Sequence, residues 1–182
     1  MANFFTADHH FGHANIIKYT GRPYENAWFM DRDLKRRWNG IISRNDNVYH
    51  LGDLCFPRGR DMQNFVESLN GRIVLIKGNH DKKKTLDAVD EWHANLPLKI
   101  GGYNCVLNHR PVYPKGTPDP YGDHDKSIDP DEWDFILCGH VHEKWLWNGK
   151  SFNVGVDVHR FWPLCEDEVI NFLEERMQCT IL

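Results

Sequence analysis

The chain has 182 residues, 41% of them hydrophobic, and a formal net charge of −4. That length buries a core of ordinary size, and residues 1–182 read as a single domain. The acidic balance excludes a broad basic face for gripping a nucleic-acid backbone, and no apolar run is long enough to span a membrane.

Asn3–Ala7 reads as the first strand and delivers Asp8, His9 and His10 at its end, with a short helix near Asn15–Ile17 after Phe11-Gly12-His13. Thr20–Tyr24 is turn-rich and reads as an exposed segment near the site. Between Met30 and Ile42, the residues Leu34, Trp38, Ile41 and Ile42 share one helical face, with Asp31 and Asp33 in the first turn. Val48–Leu51 is the next strand and ends in Gly52-Asp53. Asp61 opens a helix on which Met62, Phe65, Val66 and Leu69 recur at helical spacing. The apolar run Ile73–Ile76 is a buried strand that leads into Lys77-Gly78-Asn79-His80-Asp81, the glycine permitting a sharp turn.

A helix carrying Leu86, Val89 and Trp92 is predicted over Lys83–Ala94. Lys99–Gly102 and Tyr103–Leu107 pair as a hairpin whose second strand ends in Asn108-His109. Residues 111–131, rich in proline and aspartate, read as a long irregular binding loop. Phe135–Cys138 is another buried strand, ending in Gly139-His140-Val141-His142. Trp145–Trp147 and Ser151–Val156 pair through the turn Asn148-Gly149, and a closing helix covers Asp167–Glu175. Helices between early strands, then mainly strands, predict an α/β sandwich in which helices cover paired sheets.

Five strand ends therefore carry groups that bind metals: Asp8 and His10; Asp53; Asn79 and His80; His109; His140 and His142. Each has an ordinary explanation by itself. Gly-Asp is a common turn, His109 before Arg110-Pro111 can cap a strand, and Asp81 can cap the helix that follows it. Placement at all five ends by chance is improbable, and ligands of α/β folds gather at the carboxyl ends of strands. Eleven histidines, most of them close to Asp or Gly, point the same way. His9 alternates with Asp8 and His10 and is expected to face away from them; His50 is expected in the core. His13 is expected to contact substrate or to bond backbone, and Trp145–Trp147 and Phe161-Trp162 to pack. The five cysteines (Cys55, Cys105, Cys138, Cys165, Cys179) share no CxxC spacing and read as reduced thiols of a cytoplasmic protein.

In residues and order, the series Asp8-x-His10, Gly52-Asp53, Gly78-Asn79-His80-Asp81, His109 and Gly139-His140-Val141-His142 resembles the calcineurin-like metallophosphoesterase superfamily, over most of the chain. The opening Asp8-His9-His10-Phe11-Gly12-His13-x-Asn15-Ile16-Ile17 is similar to a bacterial and phage branch whose members often lack an assigned substrate. The resemblance implies a four-layer αββα sandwich of two mixed β-sheets flanked by helices, with two divalent metal ions. It implies Asp8, His10 and His142 on one ion, Asn79, His109 and His140 on the other, and Asp53 bridging them. Such mixed donors suit manganese first, with iron, zinc, nickel or cobalt as further fits. A bridging hydroxide would then attack phosphorus in line, and His80 would serve the leaving oxygen as the catalytic residue.

Protein Ser/Thr phosphatases of the superfamily carry Asp-Arg-Gly after Gly-Asp and Arg before Gly-Asn-His. Here Leu54-Cys55-Phe56-Pro57-Arg58-Gly59 follows Asp53 and Lys77 precedes Gly78, with Arg58 still able to reach phosphate. The length leaves no room for the capping domains of the large DNA-repair nucleases. The expected activity is hydrolysis of a phosphodiester, or of a phosphomonoester, in a small-molecule or nucleotide-type substrate. A nuclease acting on DNA or RNA ends is the nearest alternative. A non-catalytic protein-binding scaffold of the same fold is the alternative of a different class.

Overall fold

Phe4 and Phe5 are neighbours on the first strand and point into different cores, which is the plan of the whole molecule. The structure is a computed structural model and describes residues 1–56, 61–119 and 122–180. Its strands are β1 (Asn3–Thr6), β2 (Asn47–His50), β3 (Arg72–Ile76), β4 (Glu91–His93), β5 (Asn95–Ile100), β6 (Tyr103–Asn108), β7 (Phe135–Cys138), β8 (Trp147–Asn148), β9 (Ser151–Asn153) and β10 (Leu164–Cys165). Its helices are α1 (Ala14–Tyr19), α2 (Ala27–Ile41), α3 (Met62–Glu67), α4 (Lys83–Leu86) and α5 (Glu166–Thr180).

Two five-stranded mixed sheets result, ordered β10-β1-β2-β3-β4 and β5-β6-β7-β9-β8. β1 to β4 run parallel, as do β6, β7 and β9, while the outer strands β10, β5 and β8 are antiparallel to their neighbours. Phe4, Val48, Ile73 and Leu75 turn one face of the first sheet towards Met30, Leu34 and Trp38 of α2 and Met62 and Val66 of α3. Each such side chain contributes about 1.5–3 kcal/mol when fully buried. α2 starts three residues earlier than expected because the Asn26 side chain accepts from Trp28 N and Phe29 N, a cap that contributes about 1 kcal/mol.

Phe5, Leu51 and Ile76 face the other way and meet Leu107, Phe135, Leu137 and Phe152 of the second sheet, with Val169 and Leu173 of α5 closing this middle core. On the far side of the second sheet, Val106 and Ile136 pack under Val112 and Ile128. Val112 and Ile128, from the segment expected to be a binding loop, thus cover that face of the sheet, and among the described residues of the segment the one helical element is a 3-10 turn, Pro130–Glu132.

Several expectations need correction. The helix expected over Lys83–Ala94 stops at Leu86, and Glu91–His93 is instead an edge strand parallel to β3. Leu86 and Val89 pack on the helical core, but Trp92, the third apolar residue of the pattern, is 48% exposed. The hairpin strand expected from Lys99 begins at Asn95, with Pro97 opposite Val106. β5 is an outer strand, where a residue without an N–H is tolerated. The two-residue strand β10 was too short to leave a periodic signal. Residues 57–60, including Arg58, lie outside the described residues. Among the described residues, no helix is long and apolar enough to cross a membrane, and Cys105, Cys138 and Cys165 are free thiols.

Candidate active site

β1, β2 and β3 in one sheet and β6 and β7 in the other deliver their carboxyl ends to a common edge. A parallel bridge between Ala7 and Gly155 and a bond from Val156 N to the Ala7 carbonyl (3.1 Å) join the sheets there. Five of the seven predicted ligands leave their strands in left-handed backbone: Asp8 (φ 60°), His10 (52°), Asp53 (57°), His140 (69°) and His142 (49°). Each such residue costs roughly 1–2 kcal/mol even for types that tolerate the region best. Strain of this kind persists only where the surroundings over-determine it, and it clusters at functional sites. Here Asp8 N donates to the Gly52 carbonyl (3.0 Å), His10 N to the Asp53 carbonyl (2.9 Å) and His140 N to Asp8 Oδ2 (2.8 Å). Glycine is required beside them. A side chain at Gly52 would run into the His109 imidazole, and one at Gly78 into the Asp53 carboxylate.

The side chains form two tight groups, Asp8 with His10 and His142, and Asp8 with Asp53 and His109. Within each, one donor atom per residue lies within 4.8 Å of the others. Asp53 Oδ2, a member of the second group, also reaches towards the first, 3.5 Å from His109 Nε2 and 3.5 Å from His10 Nε2. Asn79 adjoins the second group, its Oδ1 2.9 Å from His109 Nε2. The His140 ring lies 5.1 Å from that of His109, beside the two tight groups rather than in them. Asp8, unlike the expected scheme, contributes to both.

Divalent ions fit these donors. Asp8 Oδ1 and both ring nitrogens of His10 are buried with no hydrogen-bond partner, a costly arrangement for polar atoms that a cation would relieve. His142 Nδ1 bonds Asp157 Oδ2 (2.8 Å), an acceptor that places a proton on Nδ1 and leaves Nε2 to a cation, whereas His109 sets Nδ1 against the Leu51 carbonyl (2.8 Å) and Nε2 against Asn79 Oδ1.

Burial raises the Asp8 carboxyl to about 6, the His142 and His109 imidazoles counteracting and Asp53 reinforcing the shift. Burial pushes His10 well below the ordinary histidine range and His140 down to about 3, keeping both neutral as ligation requires. For His142 burial also acts downward, but Asp8 and Asp157 outweigh it and the imidazole lies above its ordinary range.

Asp81 does not cap α4, whose N-cap is Lys82. Its buried carboxylate accepts from Asp53 N (2.8 Å), Gly78 N (2.8 Å) and Leu54 N (3.0 Å), tying two ligand-bearing turns together. His80 donates its backbone N–H to Asp53 Oδ1 (2.8 Å), and its ring lies half-buried 5.5 Å from that of His10. His13 stacks on Phe56 at 4.1 Å on the same rim. His9 faces away, bonded to His50 at 2.9 Å and packed edge-on against Trp38, with both histidines fully buried.

Sequence reasoning missed Arg22 and Asp157. The turn Thr20–Tyr24 is not exposed at its centre, because Arg22 is 4% exposed and sits behind the site. Asp157 did carry a signal, the run Val154-Gly155-Val156-Asp157 after a strand, which repeats the strand–glycine–aspartate arrangement of Asp53. Arg22 carried none.

A cavity of about 300 Å³ lined by Lys77, Asn79, Asn108, His109 and Arg110 opens beside the second group. A larger one, about 590 Å³, lies away from the site between Gln63, Glu67 and Asp87 and holds none of the predicted ligands.

The chain is 33% identical over 181 residues to an uncharacterized protein of Methanocaldococcus jannaschii, covering 94% of this chain and 91% of that one. It is 23% identical over 188 residues to the gene 66 protein of Mycobacterium phage L5, covering 86% and 87%. A crystal structure of an Aquifex aeolicus protein of unknown function superposes with a TM-score of 0.75 at 25% identity, over 94% of this chain and 98% of that one. The family model for the calcineurin-like phosphoesterase superfamily domain matches residues 4–154, a span that holds all five ligand-bearing strand ends. With its two mixed sheets and its clustered carboxylates and imidazoles, the chain belongs to the calcineurin-like phosphoesterase superfamily.

Proposed function

We propose that the chain hydrolyses a phosphodiester, with a phosphomonoester as the lesser option, in a small or nucleotide-type substrate, using two divalent ions. The observation that carries this reading is Asp53 Oδ2, one carboxylate oxygen 3.5 Å from a ring nitrogen of each ligand group. The superfamily is one of metal-dependent phosphoesterases. Asp8, His10 and His142 would hold one ion, Asn79, His109 and His140 the other, and Asp53 would be shared; manganese leads, with iron, zinc, nickel or cobalt as further fits. When bound, such ions supply Lewis acidity at phosphoryl oxygens and acidify water to furnish the nucleophile.

The remaining work falls to the chain itself. Neutral His10 and His140 offer lone pairs, and His109 and His142 are turned inward by the bonds at their Nδ1 atoms. His80, anchored through its N–H to Asp53 Oδ1, stands on the rim where it donates a proton to the leaving oxygen. Lys77 and Arg110 bring positive charge to the adjoining cavity, offset in part by Asp125, and the rest of an anionic substrate would extend into it. The buried free thiols suit a reducing, cytoplasmic setting.

The test is hydrolysis of bis-p-nitrophenyl phosphate beside p-nitrophenyl phosphate, by chelated protein and then after reloading with Mn²⁺, Zn²⁺, Ni²⁺, Co²⁺ or Mg²⁺. Metal-restored activity that favours the diester is expected. Preference for the monoester would make the protein a phosphatase, and failure to bind any ion would overturn the enzymatic reading in favour of a scaffold.

A further inference from the structure

Arg160 (φ 53°) and Phe161 (φ 65°) also hold left-handed backbone, in succession, yet neither belongs to the ligand set. Two strained residues in a row are kept only if the contacts around them outweigh the cost. One of those contacts reaches a buried cation, Arg22, and the other two tie the turn to Val156 and Arg37. The Arg22 guanidinium lies 5.9 Å from the centre of the Phe161 ring, Phe161 N donates to the Val156 carbonyl (2.9 Å), and Arg37 Nη1 donates to the Arg160 carbonyl (3.2 Å). The turn so held carries Asp157. Arg22 donates Nε to Asp157 Oδ1 (2.7 Å) and Nη2 to Oδ2 (2.9 Å), and the same guanidinium donates to the carbonyls of His9 (2.9 Å) and Asp8 (2.6 Å). Asp157 Oδ2 in turn accepts from His142 Nδ1 (2.8 Å).

We propose that Arg22 and Asp157 are positioning residues that together aim Asp8, His10 and His142, the whole of the first group, and touch the second group only through Asp8, which the two share; this rests on the phosphoesterase reading above. The guanidinium is a rigid planar fork, so engaging both Asp157 oxygens and two carbonyls at once fixes their relative places. Asp157 then presents a lone pair to His142 Nδ1 and turns Nε2 towards Asp8 and His10. The bonds to the Asp8 and His9 carbonyls hold the left-handed turn from which Asp8 and His10 project. Asp53 and His109 are held separately, by Asp81 through Asp53 N and by the Leu51 carbonyl. The asymmetry is the signature: loss of this device weakens the ion held by His10 and His142 more than the other, which it reaches through Asp8 alone.

The test combines calorimetric titration of Zn²⁺ or Mn²⁺ into the wild type, Asp157→Ala and Arg22→Lys with long-range ¹H–¹⁵N spectra of the zinc-loaded wild type. The wild type is expected to take two ions, with His142 metallated at Nε2 and protonated at Nδ1. Asp157→Ala should weaken one equivalent by about 10–100-fold and the other distinctly less. Arg22→Lys, which lacks the fork, should weaken the same equivalent. If either variant fails to fold, as circular dichroism would reveal, the wild-type spectrum decides. A zinc-loaded wild type whose His142 carries its proton on Nε2, or folded variants that weaken both equivalents alike or neither, would overturn the inference alone. A wild type that binds no ion would overturn the phosphoesterase reading and this inference together.

Discussion

Replacing Asp81 by Asn removes a charge that touches no proposed ligand side chain, yet it should disable the site. The carboxylate accepts three buried backbone N–H groups, two on Oδ2 from Asp53 and Gly78 and one on Oδ1 from Leu54. An amide has one oxygen. In the better orientation it keeps the first two bonds and sets its own NH2 against the Leu54 N–H, losing a charge-assisted bond of about 1.5–3 kcal/mol. Part of that loss is offset, because burial, reinforced by the nearby Asp53 carboxylate, already holds the Asp81 carboxyl above the usual carboxylate range. A net destabilisation of about 1–3 kcal/mol follows for Asp81→Asn, and more for Asp81→Ala, which abandons all three donors.

The functional effect should exceed the structural one. The freed N–H groups belong to the turn that aims Asp53, and loss of such a support typically costs 10–100-fold in metal affinity. Urea unfolding of the metal-free proteins measures the first quantity and calorimetric metal titration the second. An Asp81→Asn protein with wild-type unfolding midpoint and wild-type metal affinity would refute the assignment of Asp81 as the tie between the two turns.

His80→Ala should keep both ions and lower turnover by roughly 10²–10⁴-fold, as loss of a general acid does; measured loss of an ion would instead make His80 a ligand. Gly78→Ala drives a Cβ into the Asp53 carboxylate and should cost about 1–3 kcal/mol together with metal binding, read by thermal unfolding and metal content; an unaltered protein would mean that the turn is looser than described. His9 and His50 are imidazoles that burial holds well below the ordinary range, His50 down to about 3. The unfolded chain takes up their protons near pH 6.5 and the folded protein does not. Their contribution is therefore complete above that pH and stability falls below it, by up to about 3 kcal/mol per pH unit for the two groups. Urea midpoints that rise between pH 7.5 and 5.5 would contradict this.

The clustering of the candidate ligands was legible because each follows an apolar run that ends at glycine or in a short polar motif, so local sequence states both the strand and what it delivers. The supports were not legible. Asp81 looked like a helix cap because sequence gives its neighbours along the chain, whereas its partners Asp53 and Leu54 belong to another turn. Arg22 sat in a turn-rich segment that reads as solvent-exposed, and only the fold reveals that the turn closes over the back of Asp8. The error over Lys83–Ala94 has the same origin. Leu86, Val89 and Trp92 at intervals of three suit a helix, and the competing option, an edge strand beside β3, exists only once β3 is in place. Pro97 argued locally against a strand and was overruled by its position on an outer strand.

The central claim, a pair of ions sharing Asp53, is tested most directly by metal content and diester hydrolysis of the wild type and Asp53→Asn after chelation and reloading. Two equivalents per chain and restored hydrolysis are expected for the wild type, with fewer than two equivalents and no turnover for Asp53→Asn. A wild type that stays metal-free, or an Asp53→Asn protein with two ions and wild-type turnover, would contradict it.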